Sequence, residues 1–181
     1  MAPSKVKTSK VKDRRTLRFG RMHELLDDVT QFNGSIRTTG NWTPAQIVGH
    51  VAGVIECSLD GFAVANAPLI IRGIAKMMRT SILIKPMRAG VKLPRKFNFL
   101  VPPENMTWEE AREKLRVVVD RIENKGQRMR HRSPLLGHLE HEEWIQLHCR
   151  HAEMHFSFLH EANDEAEEPP ENNPKGKPLA G

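Results

Sequence analysis

Cysteine is scarce in this chain, and long apolar runs are missing. The 181 residues include two cysteines, Cys57 and Cys149, which lie far apart and form no CxxC pair. This usage argues against a disulfide framework and favours a reducing compartment, so we expect a cytoplasmic protein. No apolar run approaches the roughly 20 residues that cross a bilayer, and residues 1–15 lack the apolar core of a secretory signal. We therefore expect no membrane partner.

Several familiar catalytic motifs are also missing. The sequence has no tyrosine, no GxGxxG or P-loop motif, and no GxSxG motif. The last three absences argue against a dinucleotide-binding fold, a P-loop nucleotide-binding enzyme and an α/β-hydrolase. Histidine stands out instead, with nine copies.

The net charge of +6 comes from the N-terminal end. Residues 1–21 contain eight Lys/Arg and one Asp, whereas residues 161–181 contain six Asp/Glu and two Lys. These compositions predict a disordered basic arm (1–13) and a disordered acidic tail (163–181) on either side of one helical domain (14–162). A basic arm can contact nucleic acid, but a solvated tail accounts for the composition, so we do not expect a nucleic-acid partner.

Apolar residues recur at helical spacing in four or five segments, and no segment is a convincing strand. The predicted helices span residues 14–32, 41–62, 67–84, 106–126 and 140–162. The third is the least regular, and a continuous helix, a broken helix and an irregular segment all stay open there. Thr43 with Pro44, and Thr107 with Glu110, are expected to cap the second and fourth helices. The pattern predicts an all-α bundle.

Residues 85–105 form a long irregular excursion, rich in Pro, Gly and Lys. A loop of this length inside a compact domain is often a lid over a functional site. An ordinary insertion explains the composition equally well, and both interpretations stay open.

His151 and His155 are four residues apart in the predicted last helix. Both rings should therefore lie on one helix face about 6 Å apart, which is the spacing that HExxH helices use to bind zinc. A third ligand must come from another helix, and His50 lies beside the apolar stripe of the second. Three neutral imidazoles with open positions make a site for a divalent metal that acts as a Lewis acid or activates water.

Other interpretations of these residues remain. An HxxxH pair also arises by chance, and a helical histidine is often a surface residue or a hydrogen-bonded core residue. His148 lies on the same helix face as His151 and His155. Three interpretations stay open for it: an additional ligand, a neighbour of the ligands and a solvated residue. His160 is predicted on the helix surface and Glu153 in solvent. Trp42 and Trp144 are predicted to be core or cap residues.

Two tracts resemble the DUF1569 branch of the DinB/YfiT-like superfamily of metal-binding helical bundles. They are SPLLGHLEHEEWIQLHCRHAEMHFSFL (133–159) and NWTPAQIVGHVA (41–52), and the resemblance extends over residues 14–160. It implies a four-helix bundle with up-down-down-up topology. It also implies that His50, His151 and His155 bind Zn, Ni or Fe. Met154 before His155, and FSFL (156–159) after it, depart from the family pattern. This departure implies a more apolar pocket wall.

The resemblance also implies classes of function. Characterised superfamily members include transferases and isomerases that use low-molecular-weight thiols, and the DUF1569 branch has no assigned reaction. We therefore expect a metal-dependent transferase or hydrolase that activates a thiol or water towards a small-molecule substrate. The alternative is a non-catalytic, metal-stabilised bundle that acts through protein contacts. A homodimer is common among such relatives and is left open.

Overall fold

The computed structural model describes residues 5–63, 67–90 and 95–162, with the backbone alone at 95–97. These residues form six α-helices and a two-stranded sheet, so the prediction of a mostly helical chain is confirmed. The helices are α1 His23–Thr30, α2 Pro44–Asp60, α3 Leu69–Met77, α4 Arg79–Ile84, α5 Trp108–Glu123 and α6 His141–Phe156. The strands are β1 Ile36–Thr38 and β2 Leu159–Glu161, and two 3₁₀ helices span Thr8–Lys10 and Arg95–Leu100. Among the described helices, none has the length and apolarity needed to cross a bilayer.

Helix α2 lies at the centre of the fold. It packs against both α5 and α6, while α1 packs against α5 and α4 against α6. Every residue from Ala45 to Ala52 is buried, because the first half of α2 is apolar or small around most of its circumference. The core continues through fully buried side chains on the two neighbouring helices, such as Leu115 and Phe156. A polar side chain in the first half of α2, such as His50, is therefore held inside the protein.

The predicted caps of α2 and α5 are confirmed. The Thr43 side chain accepts a hydrogen bond from the backbone N–H of Gln46, whose side chain accepts one from the backbone of Thr43, and a proline follows at the first helical position. Thr107 and Glu110 form the same reciprocal pair at α5. Each of these reciprocal pairs, known as a capping box, satisfies two backbone N–H groups that lack a partner within the helix. The start of α2, six residues before His50, is thereby fixed by local chemistry.

The prediction that the first helix begins near residue 14 is wrong, since α1 begins at His23. The backbone groups of the preceding residues bond to α6 and the residue after it. The Arg15 N–H donates to the Ser157 oxygen at 2.8 Å, and the Phe19 N–H donates to the Glu153 carboxylate at 2.6 Å. These long-range bonds replace the helical ones, so tertiary structure overrides a helical apolar pattern.

The prediction of no strand, and of a last helix reaching residue 162, is also wrong. Helix α6 ends at Phe156, and β2 then pairs antiparallel with β1, with Thr38 opposite Leu159. His160, predicted on the surface of a helix, pairs with Arg37 in this sheet and is partly buried. Strands of three residues are too short to show an alternating pattern in a sequence.

The region between α2 and α5 is partly helical. The predicted third helix is present and is broken at Met78 into α3 and α4. The irregular excursion, residues 85–105, contains the 3₁₀ helix Arg95–Leu100, which contacts α2. The excursion therefore reaches the central helix.

Part of the predicted basic arm contacts the folded domain. Val6 donates a backbone hydrogen bond of 2.7 Å to the Asn41 side chain and accepts one of 2.8 Å from it. Residues 1–4 of the arm and the predicted acidic tail, 163–181, lie outside the described residues.

Candidate metal centre

Three of the predicted site residues come together at the contact between α2 and α6. One ring nitrogen from each of His50, His151 and His155 lies within 4.8 Å of the other two. The ring centroids are 4.6 to 5.1 Å apart. The four-residue spacing on α6 brings His151 and His155 together, and the packing of α2 adds His50.

A backbone carbonyl orients the His50 ring. The Nδ1 atom lies 2.8 Å from the oxygen of Leu100, at the end of the 3₁₀ helix in the excursion. A carbonyl oxygen only accepts hydrogen bonds, so Nδ1 carries the hydrogen and Nε2 keeps a free lone pair. The same segment is held to α2 a second time, because the Gln46 amide donates to the Pro102 oxygen at 3.1 Å. Metal-binding histidines commonly have their second nitrogen fixed in this way.

Trp42 packs against two of the three rings. Its ring is stacked on His155, with a centroid distance of 5.5 Å and an interplanar angle of 3°, and meets His50 edge-on at 4.9 Å. Sequence reasoning predicted a core or cap residue here and missed this contact with the cluster. The only available signal was its position immediately before the Thr43 cap.

Burial keeps the three imidazoles neutral. The pKa of His50 is lowered by burial, which outweighs the opposing hydrogen bond to Leu100. The pKa of His151 is far below its ordinary value because of burial first and the neighbouring imidazoles second. The pKa of His155 is lowered in the same way, by burial, then by His50 and by the cation of Arg14. Neutral imidazoles have the free lone pairs that metal coordination requires.

One fully buried ring nitrogen in the cluster has no hydrogen-bond partner among the described residues. The Nδ1 atom of His151 is buried and makes no hydrogen bond to any described residue. Leaving a buried polar atom unbonded is costly, and such atoms in a folded protein call for an explanation. Three converging neutral imidazoles suit a borderline divalent ion such as Zn, Ni or Fe. The residues present therefore fit a metal.

Comparison with known proteins identifies the family. A family model described as "Protein of unknown function (DUF1569)" matches residues 11–162, which include the whole histidine cluster. The chain belongs to the DUF1569 family. No curated protein and no solved structure matches this DUF1569 chain at the significance that we required.

The structure does not bring His148 into the cluster of the DUF1569 chain. Its Nε2 atom lies 2.9 Å from the Ser58 hydroxyl, and its ring is stacked on Trp144. The Ser58 hydroxyl donates to the Ile55 oxygen, so it accepts from His148, whose Nε2 must carry the hydrogen. Complete burial lowers the pKa of His148 to about 3. His148 is thus a buried, hydrogen-bonded neighbour of the cluster.

The prediction that Glu153 lies in solvent is wrong. Its side chain is 6% exposed and forms an ion pair of 2.7 Å with Arg150, which is 4% exposed. Burial raises the pKa of the Glu153 carboxyl, and the bond from the Phe19 N–H opposes the rise. The error has the same cause as the wrong start of α1, because Glu153 faces the residues that precede that helix.

The surface of the DUF1569 chain also has two described depressions away from the cluster. One, of about 510 Å³, is lined by Arg15, Gln31, Phe32, Arg37, His160 and Glu161. The other, of about 190 Å³, is lined by Leu69, Arg72, Gly73, Lys76, Leu135 and Leu136. Neither lining includes a histidine of the cluster.

Proposed function

We propose that His50, His151 and His155 hold one divalent transition metal ion, namely Zn, Ni or Fe. The observation that carries this proposal is the convergence of three imidazole nitrogens within 4.8 Å of one another. Their lowered pKa values and the unbonded Nδ1 atom of His151 support it, because they describe neutral ligands with free lone pairs.

We further propose that the chain is a metal-dependent transferase or hydrolase acting on a small-molecule substrate. A divalent ion bound by three histidines supplies a Lewis acid, which lowers the pKa of a low-molecular-weight thiol or of water. The protein's own residues position the histidine ligands. The Leu100 carbonyl fixes the tautomer of His50, and Trp42 covers one face of His155.

We also infer the DinB/YfiT-like architecture that the sequence suggested. In this proposal α1, α2, α5 and α6 are the four helices of an up-down-down-up bundle, and α3 and α4 belong to the connection between its halves. The contacts of α2 with α5 and α6, and of α1 with α5, support the inference. The cytoplasmic location and the homodimer stay predictions.

A non-catalytic metal-stabilised bundle acting through protein contacts is the second candidate. Packing around part of the cluster favours it, since His50 is 4% exposed and Trp42 lies flat against His155, while His151 and His155 are partly exposed. Structural zinc sites have no open position for a substrate, and side chains packed beside the cluster would reduce the room for one.

Elemental analysis of the purified, untagged protein tests the metal site. We expect about one Zn, Ni or Fe per chain in the wild type, and loss of that metal in His50→Ala, His151→Ala and His155→Ala. His138→Ala is the matched control, because this histidine is exposed and lies outside the cluster. Full metal content in the cluster variants, or none in the wild type after reconstitution with each ion, overturns the proposal.

Removal of the metal with a chelator distinguishes the metal-dependent enzyme from the non-catalytic bundle. The metal-loaded and metal-free proteins are assayed with 1-chloro-2,4-dinitrobenzene and several low-molecular-weight thiols, and with p-nitrophenyl acetate for hydrolysis. Turnover that needs the metal and is lost in His155→Ala supports an enzyme. A lowered melting temperature without any metal-dependent turnover supports the structural alternative.

A further inference from the structure

The outer side of α3 exposes an unusual amount of apolar surface. Ile70 and Met77 are 78% and 82% exposed, and Ile71, Ile74 and Met78 are about half exposed. Of the nine residues of this helix only Ala75 is buried. At 100° per residue these five exposed side chains span about 120° of the circumference. We call them the apolar face of α3.

The charges around this face have one sign. Residues 67–90 contain five Lys/Arg and no Asp or Glu. Arg79 is paired with Glu143 on α6, whereas Arg72, Lys76, Lys85 and Arg88 form no ion pair with a described residue. The segment therefore joins a continuous apolar stripe to cations that have no acidic partner among the described residues.

The cations lie on the opposite side of the helix from the stripe. Arg72 and Lys76 are about 160° and 200° away from its centre near Ile74. They line the depression of about 190 Å³ described above, together with Leu69 and Leu136. A third cation is close by, since nitrogens of Arg72 and Arg132 both lie 3.9 Å from the point that a Cβ on Gly137 would occupy.

We propose that α3 docks this protein on a membrane surface that contains anionic lipids. The apolar face enters the boundary between headgroups and acyl chains, and lipid phosphates contact Arg72, Lys76 and Arg132. An apolar stripe opposite a Lys/Arg-rich side is the pattern of helices that lie in the plane of the interface. At nine residues, α3 would lie on the bilayer without spanning it. The proposal departs from the expectation of no membrane partner, which rested on the lack of a spanning run and of a secretory signal.

The charge pattern favours a lipid surface over a second copy of this chain. Two copies meeting through this face would cover the apolar side chains but leave Arg72 and Lys76 on the far sides of the two helices, and residues 67–90 contain no acidic residue to pair with them. An anionic bilayer would bury the apolar face and attract the cations at the same time. Each Lys or Arg near such a surface adds to the binding free energy.

Sedimentation with vesicles tests the proposal on the full-length protein. We expect binding to vesicles of phosphatidylcholine with 30% phosphatidylglycerol, and little to phosphatidylcholine alone. The Arg72→Gln/Lys76→Gln variant should bind about 25-fold more weakly, at about fivefold for each cation. The Ile70→Ser/Met77→Ser variant should lose roughly tenfold or more. Val117→Ser on α5 is the matched control, since this valine is also exposed, at 40%.

Each result has one meaning. Unchanged circular dichroism and melting temperature in the variants ensure that a loss of binding comes from the surface. Equal binding to neutral and anionic vesicles, or binding that survives both double substitutions, overturns the proposal. So does a soluble dimer in analytical ultracentrifugation that fails to bind vesicles and becomes a monomer in Ile70→Ser/Met77→Ser. That result would make the apolar face of α3 a protein interface.

Discussion

The Nδ1 atom of His50 lies 2.8 Å from the backbone oxygen of Leu100, 50 residues further along the chain. This bond joins the central helix to the irregular excursion. Because it sets which His50 nitrogen carries the hydrogen, the excursion takes part in the histidine cluster. The bond places Leu100 beside the cluster, and whether the excursion is a lid or an ordinary insertion stays open.

The close packing of the excursion on α2 can be tested at Gly49. A Cβ there would lie 2.5 Å from the Met106 sulfur and 3.2 Å from Pro102, whereas a Cβ at Gly53 would meet only the flexible end of Lys114 at 3.7 Å. Gly53→Ala should stabilise the protein by up to about 1 kcal/mol through helix propensity. Gly49→Ala should be less stable than Gly53→Ala by about 1–3 kcal/mol, because the Met106 side chain and Pro102 must shift. Urea unfolding of both variants measures the difference, and equal gains would contradict it.

Two ion pairs with the same sequence spacing should differ in their effect on stability. Arg150 and Glu153 are buried, while Glu113 and Arg116 are exposed, and both pairs are three residues apart on a helix. Glu153→Ala leaves the buried Arg150 without its partner and should destabilise the protein by roughly 3–5 kcal/mol. Glu113→Ala should leave the unfolding midpoint nearly unchanged, because water screens the exposed pair. Similar midpoints for the two variants in urea would argue against a buried pair at Glu153.

Stability should depend on pH through His148. Burial lowers its pKa to about 3 in the folded protein, while in the unfolded chain the pKa is near its ordinary value of 6.5. Between these values the unfolded state binds one more proton, so the free energy of unfolding falls as the pH falls below about 6.5. From pH 7.5 to pH 5 the loss from this group should be about 2 kcal/mol.

The His148→Gln variant isolates that contribution. It has no imidazole at this position, so urea unfolding of the metal-free variant should show a smaller loss of stability between the two pH values than the metal-free wild type. Parallel losses in the two proteins would mean that His148 is not held neutral by burial.

Local chemistry explains which features the sequence predicts. The caps at Thr43 and Thr107 are set by residues three positions apart, and the His151–His155 pair is set by helix geometry alone. His50 is predicted as a ligand because it lies beside an apolar stripe in the second helix. Each of these signals lies within one helix, so a sequence pattern reveals it without knowledge of the fold.

The features that the sequence did not reveal depend on distant partners. The start of α1 is decided by bonds such as the one from Arg15 to Ser157, which are 142 positions apart in the printed sequence. The Leu100 contact uses a backbone oxygen, which every residue has, so no residue type marks it. Trp42 lies outside α2 and reaches the cluster only after α6 has packed against that helix.

The proposed ligands come from distant parts of the sequence. His50 and His151 are about 100 residues apart in the sequence. An ion bound to both would join two distant parts of the folded chain, and an unfolded chain rarely keeps such a site in place. Its binding free energy would therefore add to the free energy of unfolding. The stability of the loaded protein would then rise with the concentration of free metal.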